Sequence, residues 1–290
     1  MIGRRRFLAL SAAALAAPGH AATRHDWQGT ALGAQAQLVL SGATDAQARH
    51  VFARVVSELA QVEAQFSLYR DSALTRLNRD ARLSHPAPEI QNLFALAGQV
   101  HQATGGVFDP SIQPLWLATA TGGDQTTARA AIGWTRVGIS PEDIKLTQGM
   151  ALTFNGIAQG HAADRIAALM RAEGFGNVLI NMGEVQALGS HPDGGPWRAQ
   201  IAGPMGDALA DLDLTDRALA TSSPLGTRIG LGTAHILHPK GLPPRWQTVS
   251  ISAPLAAVAD ALSTAACLME RPAIDAALAV FSGARLEHLS

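Results

Sequence analysis

Apolar residues recur at three- and four-residue steps through Ala48, Val51, Phe52, Val55, Leu59, Val62 and Phe66. This predicts one amphipathic helix of about six turns, capped by Thr44. Ahead of it, residues 34–40 alternate Ala-Gln-Ala-Gln-Leu-Val-Leu, the period-two pattern of a strand with one face on a core. Pro88 opens a second helix carrying Ile90, Leu93, Phe94, Ala97 and Val100, and Gly105-Gly106 closes it. Between the two helices, residues 67–78 are polar and read as a turn region that holds Tyr69. Downstream, residues 144–147 and 150–154 flank Gln148-Gly149 and predict a strand pair. A helix is expected over 157–173, closed by Gly174, and a short strand over 177–182. Residues 197–201, 210–214 and 248–252 are further strand candidates, and helices are expected over 254–269 and 272–281. Strands and helices mix without a regular alternation, which predicts an α+β fold with mixed or antiparallel sheets and flanking helices. The Gly/Thr-rich stretch 119–127 is where two lobes of one domain would meet; no repeat or Pro-rich spacer divides the chain further.

The chain has 290 residues, 47% of them hydrophobic, enough for one large core. With 22 basic residues against 23 acidic ones and no long basic run, it carries no electrostatic footprint for nucleic acid. Arg4-Arg5-Arg6 precedes an apolar run from Phe7 to Ala17, followed by the small-residue region Pro18-Gly19-His20-Ala21-Ala22. Residues 1–22 are therefore expected to be an export signal of the twin-arginine type, leaving a mature domain of 23–290 in the periplasm. A Sec-type leader with a basic start is the other reading of the same residues. No other apolar stretch approaches the ~20 residues that span a bilayer, so the mature chain is not expected to cross a membrane. Cys267 is the only cysteine, which excludes an intramolecular disulfide.

Asp260 is the chemical anomaly. It is the only carboxylate in the apolar segment from Ala253 to Met269, where an uncompensated charge costs several kcal/mol. Thr264 lies one helical turn on and shares its face. Two oxygens at one point suit a hard cation such as Mg²⁺; equally, Asp260 could cap a neighbouring helix or pair with a buried arginine. The turn Thr153-Phe154-Asn155-Gly156 between a strand and a helix suits an anion at the helix start, or a glycine carbonyl turned to a metal. Neither a Walker loop nor a Gly-x-Gly-x-x-Gly fingerprint follows a strand, and no Gly-x-Ser-x-Gly elbow exists. Of the ten histidines, His235 is the best candidate base, lying in a loop between the Gly-rich residues 226–232 and His238-Pro239-Lys240-Gly241. The hydroxyls of Thr221-Ser222-Ser223 suit phosphate binding or loop capping.

Taken in order, several blocks resemble the ApbE family of FAD:protein FMN transferases. They are Phe66-Ser67-Leu68-Tyr69 with Ser72 and Asn78; Thr104-Gly105-Gly106-Val107-Phe108-Asp109-Pro110; Asn155-Gly156-Ile157-Ala158-Gln159-Gly160 with Asp164; Asn181-Met182-Gly183-Glu184; Ala220-Thr221-Ser222; His235 to Gly241; and Asp260-Ala261-Leu262-Ser263-Thr264-Ala265. The resemblance implies a two-lobed single domain that binds FAD with Mg²⁺, attaches FMN to a threonine hydroxyl of an acceptor flavoprotein and releases AMP. It implies Asp260, Thr264 and the Gly156 carbonyl as metal ligands, with Asp260 and His235 catalytic. Leu32, Tyr69, Val107, Phe108, Asp109, Thr153, Gln159 and Ile236 fall where the family contacts FAD, and Ser222 joins them as a phosphate-binding hydroxyl. Leu32, Thr153 and Gln159 stand where the family usually has methionine, aspartate and lysine. The Asn-Gly-Ile-Ala-Gln-Gly variant with its leader is similar to the periplasmic, NosX-like branch, which implies a membrane-anchored acceptor linked to nitrous-oxide reductase maturation. A periplasmic FAD carrier, a metal-dependent FAD pyrophosphatase and a solute-binding protein are the competing expectations.

Overall fold

A hairpin opens the structure. Strands β1 (Arg24–Ala31) and β2 (Ala34–Ser41) pair antiparallel across Leu32-Gly33, with positive φ at both turn positions, 49° and 85°. Such a turn matches strand twist but favours Asn or Gly first, so Leu32 stores about 1–2 kcal/mol of backbone strain. Its N–H donates to Glu63 Oε1 at 3.1 Å, tying the turn to the next helix. The computed structural model describes residues 23–290; the export signal expected at 1–22 lies outside the described residues.

Helix α1 (Asp45–Phe66) starts from a reciprocal capping box of Thr44 and Gln47 and buries Ala48, Val51, Val55, Leu59, Val62 and Phe66. The region expected to be a turn contains helix α2 (Ala73–Asp80). Ser72 and Thr75 cap it, and it buries only Ala73, Leu74 and Leu77, too short a stripe to stand out from its polar surroundings. Strand β3 (Arg82–Ser84) and helix α3 (Pro88–Ala103) follow. The stretch expected to be a lobe-dividing loop is mostly helical: α4 (Gln113–Thr121) and α5 (Gln125–Ala130) are separated by Gly122, Gly123 and the cap Asp124. Leu115 and Ala118 of α4 pack on Ala128 of α5, and that contact makes the turn tight.

Strands β4 (Gly138–Ile139) and β5 (Asp143–Lys145) join β3 in a small antiparallel sheet of order β3-β5-β4. Residues 150–154, expected as the partner of β5, form no ladder. At their centre Leu152 is paired by a side chain instead, since the Asn78 amide donates to Leu152 O at 2.9 Å and accepts the Leu152 N–H at 2.7 Å, while Thr153 N–H donates to the Pro110 carbonyl. Helix α6 (Ala158–Ala172) then leads to β6 (Val178–Asn181), β7 (Val185–Leu188), β8 (Trp197–Ala202), β9 (Ala208–Leu214), β10 (Arg217–Ser222), β11 (Arg228–Ile229), β12 (Thr233–Ala234) and β13 (Val249–Ala253). Helices α7 (Ala256–Ala266) and α8 (Arg271–Val280) and strand β14 (Arg285–Leu289) complete the chain.

The main sheet runs β1-β2-β6-β7-β10-β13-β14, with every neighbouring pair antiparallel. Alternation gives it two apolar faces. Val178, Ile180, Ala218 and Ala220 join the large core beneath the helices, whereas Leu179 and Leu219 join Trp197, Ile201 and Leu214 of the β8–β9 hairpin on the other side. The sheets are thus antiparallel and the fold is α+β, as the sequence predicts.

Helices α6 and α7 cross closely enough that a Cβ on Gly160 would meet the Ala256 carbonyl oxygen at 2.3 Å. Only glycine fits there. Helix α7 starts at Ala256, not at the expected Pro254, because the carboxylate of Asp164 in α6 accepts the N–H groups of Ala256 and Ala257 at 2.8 and 2.9 Å. In return Asp260 Oδ2 of α7 accepts the Gly160 N–H in the first turn of α6 at 3.1 Å.

Candidate active site

The ends of β10 and β12, the first turn of α6, the middle of α7 and the loop after α3 converge on one cavity of about 230 Å³. Its lining contains Val107, Phe108 and Asp109; Thr153, Gly156 and Gln159; and Ser222, His235, Ile236, Asp260 and Thr264. These come from five separate stretches of sequence. Leu32 and Tyr69, which the resemblance assigns to the flavin, do not line it. Leu32 is held in the β1–β2 turn, and Tyr69 is 63% exposed beside that turn, with its ring edge 3.8 Å from where a Gly33 Cβ would stand.

Asp260 is 3% exposed, caps the start of α6, and among the described residues pairs with no arginine. Burial pushes its carboxyl up to about 7, against the pull of the Gly160 N–H, and the charge of Asp164 adds to the rise. Asp164 is itself raised to about 6 by burial, opposed by the two N–H groups it caps. Glu184, buried at the turn between β6 and β7, also lines the cavity; burial and then the Asp260 charge hold its carboxyl well above the ordinary range. Sequence reasoning misses Glu184 as a site residue, although it closes the Asn181-Met182-Gly183-Glu184 block.

Hydroxyl groups complete the floor. The Gly156 backbone lies against Thr264, whose Oγ1 would be 3.2 Å from a Cβ at that position. Ser222 Oγ is 3.3 Å from Thr264 Oγ1 and 2.8 Å from Ser263 Oγ, and Ser263 donates to the Asp260 carbonyl at 3.0 Å. Among the described residues no three His, Cys, Asp or Glu side chains form a metal-holding group. A cation here would rest on a carboxylate with hydroxyl and carbonyl oxygens, the hard donor set that suits Mg²⁺ and not zinc. Asp260, its carboxyl raised by burial, is a carboxylate that a cation seated beside it would keep ionised.

On the wall, His235 Nδ1 lies 2.9 Å from the Pro224 carbonyl and 3.1 Å from that of Thr227. Carbonyls only accept, so the ring proton belongs on Nδ1 and the basic lone pair on Nε2. His238, three residues on, is buried and accepts the Lys240 N–H through Nδ1. Asp109 is engaged locally, accepting from Ser111 N at 2.8 Å and approaching His101 Nδ1 at 3.9 Å. Thr153 Oγ1 accepts the Asn155 N–H at 3.2 Å, and Gln159 packs on Gly183, where a Cβ would be 2.7 Å from its Nε2. Glycine at positive φ (100°) makes room for that amide.

The profile of the ApbE family matches residues 32–285, nearly all of the described chain. The chain belongs to the ApbE family. Its relatives include the FAD:protein FMN transferase of Treponema pallidum (strain Nichols), 30% identical over 271 residues that cover 77% of this chain and 75% of the relative. The FAD:protein FMN transferase of Klebsiella pneumoniae (strain 342) is 26% identical, covering 88% and 80%. The fold matches the ApbE protein of Thermotoga maritima (TM-score 0.79, 24% identity, 91% of this chain and 93% of that one). It also matches the flavin transferase ApbE of Vibrio cholerae (TM-score 0.78, 22% identity, 89% and 91%). Among ApbE proteins this chain therefore carries the family's architecture around the cavity just described.

Proposed function

We propose that this ApbE-family protein is an FAD:protein FMN transferase that moves the FMN half of FAD to a threonine hydroxyl of an acceptor flavoprotein and releases AMP. The observation that carries the proposal is the convergence of Asp260, Thr264 and Gly156 on the floor of a cavity whose wall presents His235. The relatives' printed activity supports it.

His235 takes the threonine proton on Nε2, since its Nδ1 proton is committed to the Pro224 and Thr227 carbonyls. The threonine oxygen bonds to the FMN phosphorus, the pyrophosphate P–O bond breaks, and AMP leaves with the electron pair. Asp260, Thr264 and the Gly156 carbonyl would hold Mg²⁺, which when bound neutralises charge on the pyrophosphate oxygens. Phe108 and Ile236 supply apolar wall for the nucleotide, and Ser222, linked to Ser263 and Thr264, holds the floor hydroxyls in register. Thr153 and Gln159 replace a usual acid and base together, which leaves the local charge balance unchanged.

The export signal read at 1–22 would place the reaction in the periplasm, with an FMN domain of a membrane flavoprotein as acceptor, as in the NosX-like branch. The test incubates the mature chain with FAD, Mg²⁺ and the threonine-bearing FMN domain of a bacterial electron-transport flavoprotein. The expected result is an acceptor mass gain of one FMN with stoichiometric AMP. His235→Ala should slow this by roughly 10²–10⁴-fold while FAD affinity changes little. Tight FAD binding without any mass gain would make the protein a carrier, and free FMN formed without acceptor would make it a pyrophosphatase.

A further inference from the structure

The wall that holds His235 continues outward as the β11–β12 hairpin. Its inner face is anchored by buried Ile229 and Ala234, and its turn is seated on α4, where a Cβ on Gly230 would strike the Thr119 carbonyl at 2.3 Å. The hairpin is pinned, yet Leu231 at its tip is 107% exposed, and Leu225, between the His235-binding Pro224 and the cavity-lining Gly226, is 44% exposed. A single surface leucine needs no explanation. Two on the segment that carries the candidate base are accompanied by a charge bias, because residues 217–259 contain Arg217, Arg228, Lys240 and Arg245 and not one Asp or Glu, in a chain of net charge −1.

Arg217 and Arg245 are engaged elsewhere, with Ser252 and Glu270 respectively. Arg228 and Lys240 are exposed, and Arg129 of α5 reaches the same loop through the Pro239 carbonyl. The acid on that helix, Asp124, is occupied in capping it through Thr126 and Thr127. The exposed surface of the segment that carries the cavity-lining Gly226, Thr227 and His235 is thus apolar and cationic.

We propose that this hairpin and the loop at Lys240 form the docking surface for the acceptor polypeptide, taking an apolar side chain on Leu225 and Leu231 and an acidic one near Arg228 and Lys240. Bound there, the acceptor would present its threonine to His235. The proposal rests on the transferase reading and says which partner chemistry that site selects.

The test compares wild type, Leu231→Ser, Lys240→Glu and the double variant on the same FMN domain, measuring acceptor KM, kcat, pH profile and FAD affinity. Each single change is expected to raise acceptor KM about tenfold, equivalent to about 1.4 kcal/mol, with kcat at saturation, pH profile and FAD affinity unchanged. Added salt should raise the wild-type KM and leave that of Lys240→Glu less affected. A double variant with wild-type KM overturns the docking surface while leaving the transferase reading standing. Loss of FAD affinity or of kcat in Leu231→Ser also overturns it, by making the hairpin part of the site's framework. Absence of FMN transfer by the wild type removes the transferase reading, and the surface falls with it.

Discussion

Asp260→Asn should make the metal-free protein more stable while removing its response to Mg²⁺. Asparagine keeps the shape and the oxygen that accepts the Gly160 N–H, so the cap on α6 survives. What disappears is a buried charge. The Asp260 carboxyl rises from its ordinary 3.8 to about 7 on folding, a penalty on the order of 4 kcal/mol once the group is ionised. The unfolded chain holds Asp260 ionised above pH 3.8 while the folded chain still binds the proton up to about 7, so stability falls as pH rises through that window. Above pH 7 the whole penalty is present. Against it stand the weaker, uncharged hydrogen bond and a new NH₂ to satisfy, about 1–3 kcal/mol. The net expectation is stabilisation of about 1–3 kcal/mol at pH 8 after chelation, read as a shift in urea midpoint. Millimolar Mg²⁺ should then stabilise wild type by ligand linkage and leave the variant unmoved. A variant destabilised by several kcal/mol after chelation, or one still stabilised by Mg²⁺, would refute the reasoning.

His161, half-buried with its Nε2 shielded from solvent and without a hydrogen-bond partner among the described residues, and its ring edge-on to Phe66, is pushed down to about 4 chiefly by burial and then by Arg165. The unfolded chain binds its proton first, so His161 lowers stability as pH falls from 6.5 toward 4, and His161→Leu should flatten the pH dependence of the urea midpoint there. Gly160→Ala forces a Cβ into the Ala256 carbonyl and should cost about 1–3 kcal/mol or more, seen in thermal unfolding even with FAD present. Asp164→Ala leaves the Ala256 and Ala257 N–H groups without their acceptor and should cost about 1–3 kcal/mol by the same measurement, whereas Asp164→Asn should recover part of it.

Long periodic elements were legible before the structure: α1, α3 and α6 each carry a full apolar stripe, and β2, β6 and β13 are apolar enough to read as core strands. Short or polar elements were not. Strand β1 buries only Ala31 and is recruited by its hairpin partner, α2 is too brief for periodicity, and residues 150–154 look like a strand but bond to Asn78. The candidate site followed a similar rule. Asp260 stood out because an acid among alanines is costly wherever it folds, while Glu184 sits after Asn-Met-Gly, where an acid is ordinary until its burial at the β6–β7 turn is known. Tyr69 matched by motif alone, and motif says nothing of the exposure that sets it outside the cavity.

The helix starts show why Asp260 could not be resolved from spacing. Both α6 and α7 begin after apolar residues, Ile157 and Leu255, with no side-chain cap of their own. Capping rules look for an acceptor at the helix's own N-cap, and here each helix draws its acceptor from the other, about a hundred residues away, Asp260 for α6 and Asp164 for α7. This exchange requires the close crossing that Gly160 permits, so cap, crossing and cavity floor form one unit. It also means Asp260 holds two jobs. One oxygen secures the α6 start while the carboxylate lines the cavity beside Thr264 and Gly156. Truncation to alanine would remove both and confound fold with chemistry, whereas asparagine separates them, because it keeps an oxygen for the Gly160 N–H and gives up the charge.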